Sequence, residues 1–259
     1  MSISDFDVNW FPGHMAQARN RFQQILKFVD FWFEIVDARA PISTKANGIS
    51  DVLKNKPCIL VLNKSDLSNE NETKKWVKYF SPNYLSVLSI NSKKSINLNF
   101  LNKINLKKKG NFFRALVAGV PNVGKTSFIN SICHSKKLKV ENRAGVTRDF
   151  HWISYKNLEI CDTPGILPHK INFPHSKFIS YLGLIKSEVV DSEVLVLHLI
   201  CDIYKINNLE GASHKLSCFA KSNGFFLSKG ELDLKRASDA FLKRFRDGKF
   251  GRVSLEVAD

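Results

Sequence analysis

Two short motifs, and the order in which they occur, restrict the fold of this chain more than anything else in it. "GVPNVGKTS" (119–127) fits G-x-x-x-x-G-K-[ST] between an apolar run and a helical pattern. That is the context a phosphate-binding loop requires. "VLNKSD" (61–66) ends an earlier apolar run in Asn63-Lys64-x-Asp66, the pattern with which nucleotide-binding proteins read guanine. The base reader thus precedes the phosphate cradle by more than fifty residues, the reverse of the usual order. Only a fold whose site depends on where strands sit, and not on which was made first, tolerates that inversion. A parallel sheet is such a fold, because its ligand loops gather at the carboxyl ends of the strands. Termini of compact domains often lie close enough to be rejoined. The order therefore predicts a circularly permuted Ras-like P-loop GTPase domain.

Each part carries a distinct piece of chemistry. Gly119 and Gly124 let backbone N–H groups curl around phosphate oxygens, the following helix adds the positive end of its dipole, and Lys125 reaches the β and γ phosphates as a point charge. Asn122, Val123, Gly124, Lys125, Thr126 and Ser127 are the expected phosphate-side residues. "CDTPG" sets Asp162 and Gly165 at the end of another apolar run, thirty-seven residues after Lys125. The Asp162 carboxylate can hold Mg²⁺ through water, and the Gly165 N–H can sense a γ-phosphate. Thr126 offers the metal a hydroxyl, and Thr147 in "AGVTRD" stands where a switch threonine would close over it. Thr126, Thr147 and Asp162 are thus the expected metal ligands, with Lys125 and Thr147 in the catalytic set. On the base side, the Asp66 carboxylate can accept two N–H bonds from guanine that adenine does not offer, which penalises ATP strongly. Asn63 and Lys64 complete that loop, backed by Ser92 and Lys93 of "INSKKS" (90–95).

The rest of the chain agrees with an α/β class. "FWFEIVDA" (31–38), "CILVLNK" (58–64), "LSVLSI" (85–90), "RALVAG" (114–119) and "LEICD" (158–162) predict strands. Several are apolar at consecutive positions, as in a mostly parallel sheet with helices on both faces. "NENETKKWVKYF" (69–80) and "KTSFINSIC" (125–133) predict helices between them. "ILPHKINFPH" (166–175) reads as a linker, and "DSEVLVLHLICDIY" (191–204) and "ELDLKRASDAFLKRF" (231–245) as capped helices beyond it. Residues 1–170 are therefore expected to form the permuted domain and residues 171–259 a small α-helical one.

Net charge is +15 and unevenly placed. Residues 93–114 hold seven cations and no acid, and residues 136–148 hold five cations and one acid. From Ser180 onward twelve cations nearly cancel eleven acids. Clustered cations of this kind suit a phosphate-rich partner, RNA above all. No apolar run approaches the roughly 20 residues that span a bilayer, and no secretory leader is evident. The five scattered cysteines make no metal-like pairs and read as buried, reduced thiols. A cytoplasmic protein without a membrane partner is expected.

In the order of its motifs the chain resembles the bacterial ribosome biogenesis GTPase A family. "NWFPGHMAQA" (9–18), "VDARAP" (36–41), "VPNVGKTS", "AGVTR", "DTPGIL" and "GELDLKRASDAFLKRFRDGKFGRVSLE" (230–256) match that family's segments from end to end. Departures fall at Ala46-Asn47, Pro168-His169 and Lys229. The resemblance implies a monomeric GTPase that assists late assembly of the large (50S) ribosomal subunit. It implies rRNA and ribosomal proteins as partners, contact through the helical domain, and hydrolysis stimulated by the particle. Ras-like enzymes orient water with a Gln where this chain has Ile166, and the resemblance suggests His14 of "FPGHM" in its place. It also points to Asn122 as a holder of K⁺ beside the Mg²⁺ and GTP or GDP. Two other classes are open from the residues: a GTP-dependent RNA-binding scaffold with negligible hydrolysis, and another P-loop NTPase, which would leave "NKSD" unexplained.

Overall fold

The structure, a computed structural model, describes residues 8–9, 23–97, 99, 112–133, 140–141, 151–165, 170–171, 174–185 and 191–258. Seven of its strands form one sheet: β1 (Phe31–Asp37), β2 (Cys58–Asn63), β3 (Ser86–Ser89), β4 (Phe113–Ala118), β5 (Val140–Glu141), β6 (His151–Tyr155) and β7 (Leu158–Asp162). Their spatial order is β3-β2-β1-β4-β7-β6-β5. The first five in that order run parallel and β6 and β5 are antiparallel additions at one edge. All seven residues of β1 are buried, which explains why its sequence shows no alternation: both faces are covered.

Register sets the site. Asp37 ends β1 opposite Asn63 at the end of β2, and Asp162 ends β7 opposite Val117 of β4. The carboxyl ends of the parallel strands thereby deliver the base loop, the phosphate loop and the second switch to one rim.

Even-numbered residues of β1 and β2 share one face with Leu116, Ala118 and Cys161. Helix α1 (Asn47–Leu53) and helix α2 (Glu70–Phe80) contribute to its cover. Leu53 packs with Trp32, Leu116 and Trp152, while Trp76 and Phe80 pack with Val36, Leu60 and Leu62. On the other face the Phe33 ring meets Phe128 of α3 (Lys125–Cys133) edge-on at 4.9 Å. Asn69 caps α2 by accepting from the N–H groups of Asn71 and Glu72.

The chain divides into two compact units, one holding Asn9–Lys170 together with Glu256–Asp259, the other holding Val8 together with Ile171–Leu255. The second contains α4 (His175–Tyr181), α5 (Ser192–Tyr204), α6 (Leu209–Ser222) and α7 (Leu234–Arg246). Asp191, Asn208 and Asp233 each accept a backbone N–H at the start of α5, α6 and α7. Lys243, Arg244 and Arg246 lie in the last turn of α7, where cations complement the helix dipole. Among the described residues no helix is long and apolar enough to cross a membrane.

Two sequence expectations need correction. The last residues return to the sheet unit, where Ala258 joins the cluster of Val36, Leu62 and Trp76. All five cysteines are free, but Cys218 is exposed and Cys58 and Cys201 are only partly buried, so burial does not describe the whole set.

Candidate nucleotide site

The phosphate loop is built as its motif requires. It leaves β4 at Gly119, turns through Asn122 at φ 59° and Gly124 at φ 100°, and enters α3 at Lys125. A Cβ on Gly119 would lie 2.5 Å from the Ile35 carbonyl oxygen, and one on Gly124 would lie 2.5 Å from Asn63 Nδ2. Both positions demand glycine, the first for space and the second for space and φ together. A cleft of about 740 Å³ opens over this loop, lined by Pro121, Asn122, Gly124, Lys125, Thr126, Ser127, Asp162, Thr163, Pro164 and Gly165.

Lys125 is nearly buried, and its ammonium donates to the carbonyls of Gly119 (3.3 Å) and Val120 (3.1 Å). Burial lowers its pKa to about 8, against the opposing charge of Asp162. The ammonium borders the cleft and is held there by neutral partners. Thr126 Oγ1 donates to Asp162 Oδ2 at 3.3 Å. Gly165 lies so close to the loop that a Cβ there would fall 2.6 Å from Pro121 N and Cα.

The base loop is joined to the phosphate loop by two side chains. Asn63 Nδ2 donates to the Val123 carbonyl (2.8 Å), while its Oδ1 accepts from Ser92 N (3.2 Å) and Ser92 Oγ (2.7 Å). Lys64, at φ 57°, donates to the Asn122 carbonyl at 3.1 Å. The structure thus brings together Asn63, Lys64, Ser92, Asn122 and Val123, and separately Lys125, Thr126, Asp162 and Gly165 over the cleft. Asp66 is half-buried two residues beyond Lys64, and Lys93 is exposed, with its backbone N–H on Asn91 Oδ1. His14, Thr147 and Ile166 lie outside the described residues, as do the cations of 136–148 and most of those of 93–114.

One functional group escaped the sequence. Asp37 Oδ2 lies 3.1 Å from Lys64 Nζ, and the same fully buried carboxylate takes a fork of two bonds from Arg39 Nε (2.9 Å) and NH2 (2.8 Å). Burial alone would raise the Asp37 carboxyl, but the charges of Arg39 and Lys64 and the bonds from Arg39 hold it well below the ordinary range. The Asp37 N–H donates to Thr44 Oγ1. An Asp at the end of an apolar strand, followed two residues later by Arg, was the available signal.

A parallel sheet with a glycine-bent phosphate loop and an Asn-Lys-x-Asp loop joined side chain to carbonyl defines a P-loop guanine-nucleotide-binding protein of the GTPase class, its domain circularly permuted. Comparison with known proteins narrows the class. The family model described as 50S ribosome-binding GTPase matches residues 114–222. Ribosome biogenesis GTPase A of Bacillus licheniformis is 33% identical over 96% of this chain and 98% of its own length. The probable ribosome biogenesis GTPase A of Mycoplasma genitalium is 34% identical, covering 96% and 97%. A crystal structure of GNP-bound YlqF from T. maritima superposes with a TM-score of 0.72 at 28% identity, covering 94% of this chain and 99% of that one. The chain belongs to the ribosome biogenesis GTPase A family.

Proposed function

We propose that this protein binds GTP across the cleft and the Asn63–Asp66 loop, hydrolyses it to GDP and phosphate, and uses the cycle to assist assembly of the large ribosomal subunit in the cytoplasm. The observation that supports this most directly is Asn63, whose one side chain ties the base loop, the backing loop at Ser92 and the phosphate loop at Val123 into a single site. Asp66 would accept the guanine N–H pair, Lys125 would neutralise phosphate charge, and the Gly165 N–H would meet the γ-phosphate.

The Thr126 hydroxyl and the Asp162 carboxylate, 3.3 Å apart at the cleft, are hard oxygen donors and fit Mg²⁺. Thr147 would complete that set. When bound, the ion would neutralise charge developing on the phosphates. Asn122 lines the cleft and is the residue for a K⁺ ion, and His14 is the candidate to orient water. The helical unit and the basic runs would contact rRNA, with the protein acting as a monomer.

Single-turnover GTP hydrolysis, with and without purified large subunits, is the test. Turnover should rise with the particle, and GDP but not ADP should compete. Hydrolysis that stays negligible with the particle would leave a GTP-dependent RNA-binding scaffold instead. In pelleting assays a non-hydrolysable GTP analogue should hold the protein on the particle better than GDP. If about six phosphates are neutralised, affinity should fall by on the order of a thousandfold between about 50 and 200 mM salt.

A further inference from the structure

A second cleft lies on the sheet face shared by α1 and α2, at the amino ends of β1, β2 and β3. Its volume is about 720 Å³, close to that of the cleft over the phosphate loop. Trp32, Glu34 and Cys58 project from one face of β1 and β2 into its lining. The nucleotide site sits at the other end of the same strands: Trp32 and Asp37 are separated by roughly 16 Å of extended chain.

The lining has a definite chemistry. Lys45, Lys54 and Lys56 supply three cations, and Lys45 and Lys54 have no carboxylate partner among the described residues. The acid of the lining, Glu34, is buried and already accepts from the Ala46 N–H (2.8 Å) and the Tyr84 hydroxyl (2.9 Å). Tyr79, 52% exposed, adds aromatic surface, and the Lys45 ammonium lies 5.4 Å from the ring centres of Phe80 and Tyr84. The Trp32 indole N–H is buried and has no hydrogen-bond partner among the described residues.

We infer that this second cleft holds one nucleotide unit of a single-stranded RNA segment. Its phosphate lies on Lys45 and Lys54, and its base lies among Tyr79, Tyr84 and the polar groups of the lining. Cations beside aromatic faces are how single strands are held, because every base has a face to stack and every unit carries a phosphate. A duplex keeps its bases stacked inside and offers none to such a cleft. An acidic peptide would satisfy the lysines but leave the exposed Tyr79 ring unused. The inference rests on the reading of this protein as a ribosome-assembly factor, and it adds a specific RNA site on the sheet unit.

The test uses the full chain with excess GDP filling the nucleotide site. Fluorescently labelled hexamers of uridylate and adenylate are titrated by anisotropy. Lys45→Glu/Lys54→Glu should weaken hexamer binding by about tenfold or more, as expected for loss and reversal of phosphate contacts. Lys74→Glu/Lys156→Glu makes the same charge change elsewhere on the unit and should weaken it less than about threefold. Melting temperature and GDP affinity, measured on each variant, report that both still fold. A hexamer carrying 4-thiouridine, photo-crosslinked and mapped by mass spectrometry, should mark Tyr79 or Tyr84. Equal loss in the two double variants, or adducts confined to residues outside the cleft, overturns the site. Competition by free AMP or UMP as strong as by the hexamer overturns the RNA assignment in favour of a free nucleotide. Subunit-stimulated GTP turnover is measured in parallel. Its retention alongside a negative hexamer result removes the cleft alone, whereas its absence in the unaltered protein removes the reading beneath it.

Discussion

Asp37 fixes one of the two side chains that join the base loop to the phosphate loop. Its carboxylate holds Lys64 at 3.1 Å, and Lys64 in turn reaches the phosphate loop at Asn122. Asp37→Asn keeps the shape and removes the charge with which the Arg39 guanidinium, 2% exposed, is paired. Breaking a buried pair in this way costs about 3–5 kcal/mol, and guanine-nucleotide affinity should fall with it. The folded carboxyl sits below the ordinary value of 3.8. Its stabilising contribution is therefore fully present above that value and is lost as pH falls toward the folded value. Urea unfolding of the variant and the unaltered protein should show a gap that is constant near neutrality and narrows below the ordinary aspartate value. A gap that widens on acidification would refute the assignment. Lys125 gives the opposite dependence. With its pKa lowered to about 8 by burial, the free site loses its cation as pH rises, and phosphate binding must restore the proton. GDP affinity should fall by up to about tenfold per pH unit above that value. Calorimetry in buffers of different ionisation enthalpy should register proton uptake, and release would contradict the sign.

At the scale of elements, the strands were legible because burial on both faces leaves an unbroken apolar run, as in "FWFEIVD" and "CILVLN". Helices α2 and α5 were legible with side-chain caps at Asn69 and Asp191, and α3 through the phosphate-loop motif that leads into it. Each element that was missed lacks a different signal. Helix α1 starts at Asn47 after Ala46, which makes no side-chain cap bond. Helix α6 buries Ala212, Leu216 and Ala220, a face mostly of small residues that gives little periodic contrast. Strand β6 turns into β7 through Lys156 at φ 52°, where no glycine announces the hairpin. The phosphate loop was legible in full, but its dependence on Asn63 was not, since the contact joins residues 60 positions apart. That dependence is testable. Gly124→Ala combines a positive φ with a Cβ 2.5 Å from Asn63 Nδ2, whereas Gly224→Ala, at φ 70°, meets nothing within 4 Å. Both should cost about 1–2 kcal/mol of backbone strain. Only the first should also raise the dissociation constant for GDP, by tenfold or more. Equal nucleotide affinity in the two variants would remove Asn63 as the joint between the loops.

At the scale of the whole chain, the sheet unit closes on its own last residues. The chain leaves this unit at Lys170 and re-enters it at Glu256, so the helical unit is covalently held at both ends. The Glu256 carboxylate accepts from the Ile42 N–H (2.7 Å), the Ser43 N–H (3.0 Å) and the Ser43 hydroxyl, and its own N–H donates to the Arg39 carbonyl at 3.2 Å. The segment it grips, from Arg39 to Thr44, is the one that clasps Asp37: Arg39 by its guanidinium and Thr44 by its hydroxyl. A continuous path of bonds thus runs from the tail through Ser43 and Thr44 to Asp37 and on to Lys64. Removing the tail should act on the base loop without any contact to nucleotide. Glu256→Ala strips two backbone donors and a hydroxyl of an acceptor, a loss of about 2–4 kcal/mol for charge-assisted bonds made together. Glu256→Gln keeps one acceptor oxygen and should recover part of it. The dissociation constant for GDP should rise in the order unaltered, Gln, Ala, and limited proteolysis should begin to cut within residues 40–46. The α5–α7 helices make none of these bonds, so their hydrogen-exchange protection should stay unchanged. If GDP affinity is the same in all three proteins while stability falls, the tail is a structural fastener alone, and the path from Glu256 to Lys64 carries no influence on the nucleotide.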